Sequence, residues 1–193
     1  MIKAVSEDTG KYSQHYPRLA VIVTARAGGE ENGMAVAWHS SISYRPPLFG
    51  ISVSPLRFTY ELIAKSREFA VNFMPFEEAE LVAAAGGVSG REVNKFKQFK
   101  IEREIAAKIT APIIKLAYAA YECKLVDDRE YGDHRWLVGE IVAVHMAAAA
   151  FNTNEILDVN SISPALFLGN ETYTTISKDI LRRLDRKVYG KKA

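Results

Sequence analysis

Three side chains that bind anions stand close together in this sequence: Ser54, Arg57 and Thr59, at the start of the run TYELIAKS. That run places Tyr60, Ile63 and Ala64 at helical spacing, with Thr59 as the expected N-cap. A helix N-terminus offers unpaired N–H groups and a partial positive charge, so amides, a guanidinium and hydroxyls converge there in a set suited to one phosphate. Upstream, the stretch MAVAWH carries the small side chains of Ala35, Val36 and Ala37 before Trp38 and His39. Small residues let a planar ring approach a strand closely, with backbone N–H and C=O groups reading its polar edge. A flat ligand with a phosphate tail satisfies both halves. The residues alone equally admit a second reading, in which Ala35 and Ala37 face a crowded core while Ser54 and Thr59 cap a helix.

Other chemistries find less to build on. None of His15, His39, His134 and His145 has a His or Cys partner at helix-turn spacing, and HExxH and HxxEH are absent, so no metal site is expected. A serine hydrolase needs its nucleophile on a Gly-flanked elbow, GxSxG, and GVSG is one residue short. The Gly/Ser segment from Gly86 to Gly90 lacks the Gly, Lys and Ser/Thr order of a Walker loop and reads as a plain connection between helices. Asp133-His134, in YGDHRW, is open to two readings. A His beside a carboxylate can be tuned near neutral pH or donate to an anion or carbonyl, or the Asp caps its own turn with an exposed His beside it.

The elements that must position these residues are mostly strands. RLAVIVTA is rich in β-branched residues, and RAGGEENG supplies the Gly and Asn content for a reversal into a second strand, MAVAWHSSI. Pro46 and Pro47 cannot donate to a ladder and belong in a connection or at the start of the third strand, PLFGISVS. After the helix at TYELIAKS, FAVNFM returns to strand character, and EEAELVAAAGGVSGREVNKFKQF reads as two short helices. LAYAAYECKLVD and WLVGEIVAVHMAAAAF, joined by a Gly-containing turn, form the strongest hairpin. ALFLG and TYTTI are short extended pieces, and SKDILRRLDRKVYGKK closes the chain as a basic amphipathic helix or tail. Strands at hairpin spacing with few helices predict a mainly β, barrel-like domain with helical insertions and a C-terminal helix, as one unit over residues 1–193.

Composition narrows the partners. There are 25 Lys and Arg against 23 Asp and Glu, a formal net charge of +2, without the basic excess of a nonspecific nucleic-acid binder. The single cysteine, Cys123, lies in an alternating apolar run and reads as a small strand residue. The N-terminus lacks the apolar core of a signal peptide, and no stretch approaches the roughly 20 apolar residues that span a bilayer, so a cytoplasmic protein without membrane contact is expected.

The stretch NGMAVAWHSSISYRPPLFGISVSPLRFTYELIAKSREFAVNFMP resembles the core signature of the flavin reductase-like family, the FMN-binding split barrels that include flavoredoxins and the reductase components of two-component monooxygenases. The resemblance continues through VSGREVNKF, YAAYECKLV, GDHRWLVGEIVAVH and SPALFLGNETY, covering about residues 18–173. It implies a homodimer of FMN-binding split β-barrels of Greek-key type. By position, Ala35, Val36, Ala37, Trp38 and His39 would lie along the flavin ring, with Ser52, Val53 and Ser54 near the ribityl chain and phosphate. Arg57 and Thr59 would bind the phosphate, Lys95 would approach it, and His134 would lie near flavin or nicotinamide. Ala35 stands where many members carry Thr, and Arg45 where Asp often precedes the two prolines. The implied activity is an oxidoreductase passing hydride from NADH or NADPH to flavin and electrons on to an acceptor. The alternative is a non-enzymatic electron-transfer flavoprotein serving a redox protein.

Overall fold

The computed structural model describes residues 1–10, 12–182 and 184. After a two-residue strand β1 (Arg18–Leu19), β2 (Val21–Ala27) and β3 (Glu30–Val36) form an antiparallel hairpin. Its reversal is confined to Gly28 and Gly29, at φ of 58° and 84°, the left-handed region a two-residue hairpin turn requires. The expected second strand MAVAWHSSI is in fact two: β3 ends at Val36 and β4 (His39–Tyr44) begins after a break at Ala37 and Trp38. The break has a topological cause. β3 and β4 lie at opposite ends of a seven-stranded sheet ordered β3-β2-β6-β9-β10-β5-β4, whose remaining strands are β5 (Pro47–Val53), β6 (Glu68–Phe73), β9 (Ala119–Tyr131) and β10 (His134–Met146). The chain must therefore cross from one edge to the other between Val36 and His39. The sheet curls to allow it, bringing β3 against β5, and Ser52 N–H donates to Trp38 O at 2.9 Å as the next rung of the β4–β5 ladder.

Arg45 and Pro46 occupy the β4–β5 turn and Pro47 opens β5, as expected of residues without ladder donors. Helix α1 (Phe58–Ser66) then carries the chain from β5 to β6, past the two strands between them. The hairpin of β9 and β10 runs for 13 residues on each side and turns at Gly132, φ 63°. All pairings in the sheet are antiparallel. The barrel is filled by Val21, Val23, Ile51, Phe69, Val71 and Leu137, together with Leu62 and Ile63 of α1. Cys123 joins them as the small strand residue expected, its thiol pushed up to about 12 by burial.

The opposite face of β2 packs under helices α2 (Ala79–Gly87) and α3 (Lys95–Gln98), where Ile22, Met74, Val82 and Phe96 form a second cluster. Two-residue strands β7 (Arg103–Glu104) and β8 (Ile113–Ile114) pair beside it. Late in the chain, β11 (Leu166–Gly169) pairs with β1 and with β12 (Thr172–Thr174) in a separate three-stranded sheet. Residues 177–182 of the expected C-terminal helix are turn and irregular chain, and the rest of that run, apart from Leu184, lies outside the described residues. No described helix is long and apolar enough to cross a membrane.

Candidate functional site

The end of β3, the crossing segment, the end of β5 and the turn into α1 meet around one cavity of about 480 Å³. Ala35, Val36, Ala37 and Trp38 form one wall and Ser52, Val53, Ser54 and Arg57 another, while His134 enters from the start of β10. Small residues at this wall have a packing reason as well. A Cβ on Gly86 of α2 would stand 3.3 Å from the Ala35 Cβ, so α2 already crosses β3 closely there.

A smaller hollow of about 120 Å³ adjoins the cavity and shares Met34, Ala35 and Arg57 with it. Thr59, Lys95 and Ser89 line this hollow. Lys95 is buried and donates from Nζ to Gly33 O (3.0 Å) and Ala85 O (2.6 Å). Burial, then the charge of Arg57, lower its pKa to about 8. Two cations thus face a hollow whose wall contains no carboxylate, an arrangement that an anion would relieve. The N-cap of α1 is Arg57, not Thr59, and no side chain caps the helix. Thr59 sits inside the first turn, fully buried, where its Oγ1 accepts from Asn32 Nδ2 at 2.9 Å. The Asn32 Oδ1 beside it has no partner among the described residues. The segment from Gly86 to Gly90, expected as a plain connection, also contributes to this wall. Gly90 is required: a Cβ there would overlap the Asn32 amide.

Beside its carboxylate neighbour, His134 is half-buried. Its Nδ1 is 2.8 Å from Asp133 Oδ1, a pairing that holds the Asp133 carboxyl below its usual range. Its ring also lies 5.1 Å from that of Trp38, at the cavity wall. His39 is not brought to the cavity. It stacks on Phe49 at 5.5 Å, and its Nε2 is 2.8 Å from Leu19 O. Burial lowers its pKa, which suits a neutral packing residue. Residues the sequence reading missed complete the cavity: Ser13, Gln14, Arg18, Phe167 and Asn170, from the N-terminal segment and the three-stranded sheet. Their only advance signal is the resemblance through SPALFLGNETY, which marks Phe167 and Asn170 by neighbourhood and not by chemistry.

Residues 13–177 match the flavin reductase like domain. An uncharacterized protein of Aeropyrum pernix is 36% identical over 131 residues, 67% of this chain and 50% of its own length, so the chain spans about half of that relative. The reductase component of an FADH(2)-dependent resorcinol hydroxylase from Rhizobium is 27% identical over 69% of this chain and 74% of that protein. Among solved structures, an FMN-binding protein from Thermus thermophilus with bound 1-cyclohex-2-enone superposes with a TM-score of 0.82 at 31% identity, covering 95% of this chain and 99% of that one.

Proposed function

The chain belongs to the flavin reductase-like domain family, and from that membership we propose that it binds FMN and acts as an NAD(P)H-dependent flavin reductase. One observation carries the reading: a cavity walled by Ala35 and Ala37 adjoins a carboxylate-free hollow lined by Arg57, Lys95 and Thr59. A flat ring fits the first and a phosphate the second. In this reading the free N–H groups at the start of α1, the Arg57 guanidinium and the Lys95 ammonium hold the phosphate. Ser52, Val53 and Ser54 flank the chain that links phosphate to ring, and His134 borders the space above the ring. Bound FMN supplies the redox chemistry; the protein supplies position, charge and exclusion of water. We further propose a single domain, assembled as a homodimer.

The test is optical. Purified protein titrated with FMN is expected to bind it with a shifted visible band, and anaerobic NADH or NADPH is expected to bleach that band rapidly. A protein that takes up no FMN ends the proposal. Bound FMN that neither nucleotide bleaches, but a reducing protein does, assigns electron transfer in place of reductase activity.

A further inference from the structure

Arg18 is the least satisfied charged group in the described molecule. It is 7% exposed, its Nε is buried without a hydrogen-bond partner, and no described carboxylate or carbonyl accepts from its guanidinium. The group is held between two rings, 5.5 Å from the centroid of Tyr16 and 5.3 Å from that of Phe167. Such cation–π contacts fix the plane of a guanidinium but leave its in-plane donors free. A buried cation without an acceptor is costly, which points to an acceptor that arrives from outside.

The surroundings say what kind. Arg18 lines both the main cavity and a second hollow of about 440 Å³ on the other side of Ala37 and Trp38. The second hollow is walled by the rings of Tyr12, Tyr16, Trp38, His39 and Trp136, and neither space has a carboxylate in its wall. Aromatic walls favour a planar apolar body, and a guanidinium fork favours a carboxylate or phenolate taken in two parallel hydrogen bonds. We propose that this second hollow is a binding site for a small aromatic anion, with the anionic group on Arg18 and the ring among Trp38, Trp136 and Tyr16. It is separate from the phosphate hollow, which lies at Arg57 and Lys95. The ligand would rest against the same Ala37-Trp38 segment that borders the cavity proposed for the flavin.

The chain has two tryptophans and both line the second hollow, but Trp38 borders the main cavity as well, so benzoate quenching assigns the second hollow only where saturating FMN does not compete it away. The experiment titrates FMN-free protein with 4-hydroxybenzoate and with its neutral counterpart 4-hydroxybenzamide, following tryptophan emission. Saturable quenching by the benzoate is expected, with the amide at least tenfold weaker. Arg18→Gln is expected to abolish that preference, and Arg18→Lys, which keeps the charge and loses the fork, to retain part of it. Equal affinity for acid and amide, or no saturable quenching, overturns the proposal on the unaltered protein, whether or not a variant folds. FMN affinity is measured on the same samples. A loss of FMN affinity in Arg18→Gln with benzoate binding unchanged also overturns it, assigning Arg18 to the flavin. FMN binding without benzoate binding sinks this inference and leaves the flavin reading standing; benzoate binding without FMN does the reverse.

Discussion

Arg57 and Lys95 divide the work at the small hollow differently, and the difference can be measured. Arg57 lines both spaces, so in the proposed reading truncating it would remove a charge-assisted hydrogen bond to the phosphate. Arg57→Ala is expected to weaken FMN binding by about 1.5–3 kcal/mol, roughly ten- to 150-fold, in a fluorescence titration. Unchanged affinity removes Arg57 from the phosphate. Lys95 is the pH-sensitive partner, because burial and Arg57 hold its pKa down at about 8. A bound phosphate favours the charged ammonium, so binding above that pH takes up a proton and FMN affinity falls as pH rises through about 8. Lys95→Met should flatten that step; a step of the same size in the variant assigns it to another group. In the FMN-free protein the sign reverses. The unfolded chain, with a lysine pKa near 10.4, binds more protons than the folded one between about pH 8 and 10, so the Lys95 contribution to stability improves across that window. Arg57 and Ser54 announce themselves in the sequence by standing at a helix start. Lys95 does not, since its role comes from two carbonyls, Gly33 O and Ala85 O, brought over it by the fold.

Between elements, one asparagine does much of the joining. Asn72 of β6 is fully buried, donates to Ile22 O (2.9 Å) and Thr24 Oγ1 (3.2 Å), and accepts from Ile114 N (2.8 Å), tying β8 to the sheet face. Asn72→Ala leaves the Ile114 N–H without its acceptor and is expected to cost about 1–3 kcal/mol in chemical denaturation. A variant within about 0.5 kcal/mol of the wild type would mean water replaces the bond. Asn72 is visible in EFAVNF as a polar residue in an apolar strand, yet nothing local says that it reaches β8. The same boundary runs through the rest of the fold. The long hairpin was legible because alternation and Gly132 agree on it. The α1 helix was legible from the spacing of Tyr60 and Ile63, although its cap was displaced: Asn32 draws the Thr59 hydroxyl inward. The break at Ala37 and Trp38 was not legible, since strand character continues through it and only the crossing between sheet edges demands it. Gly86 to Gly90 read as linker because their partners, Ala35 and Asn32, lie more than fifty residues earlier.

At the scale of the molecule, the curled sheet closes one flank and leaves another exposed. β4 ends the sheet order and has no partner on its outer side among the described strands. Unpaired edge strands are ordinarily blunted by charge, proline or cover. β4 reads HSSISY, with no charged residue, and it exposes Ile42 (45%) and nearly all of Tyr44 (96%). Leu56, in the turn before α1, is exposed as well, at 82%. Ile42 and Tyr44, exposed on an uncovered edge beside the start of β5, are what a second copy of the chain would cover in the proposed homodimer. Sedimentation equilibrium is therefore expected to return about twice the 21.5 kDa of one chain. Tyr44→Lys, which places a charge on that edge, is expected to shift the equilibrium toward the single chain. A single-chain mass for the wild type at micromolar concentration ends the dimer proposal. A dimer that Tyr44→Lys leaves intact moves the interface away from β4. FMN affinity measured on the single-chain form then tells whether the cavity is complete within one protomer, because Arg57, Lys95 and Thr59 all come from the same chain.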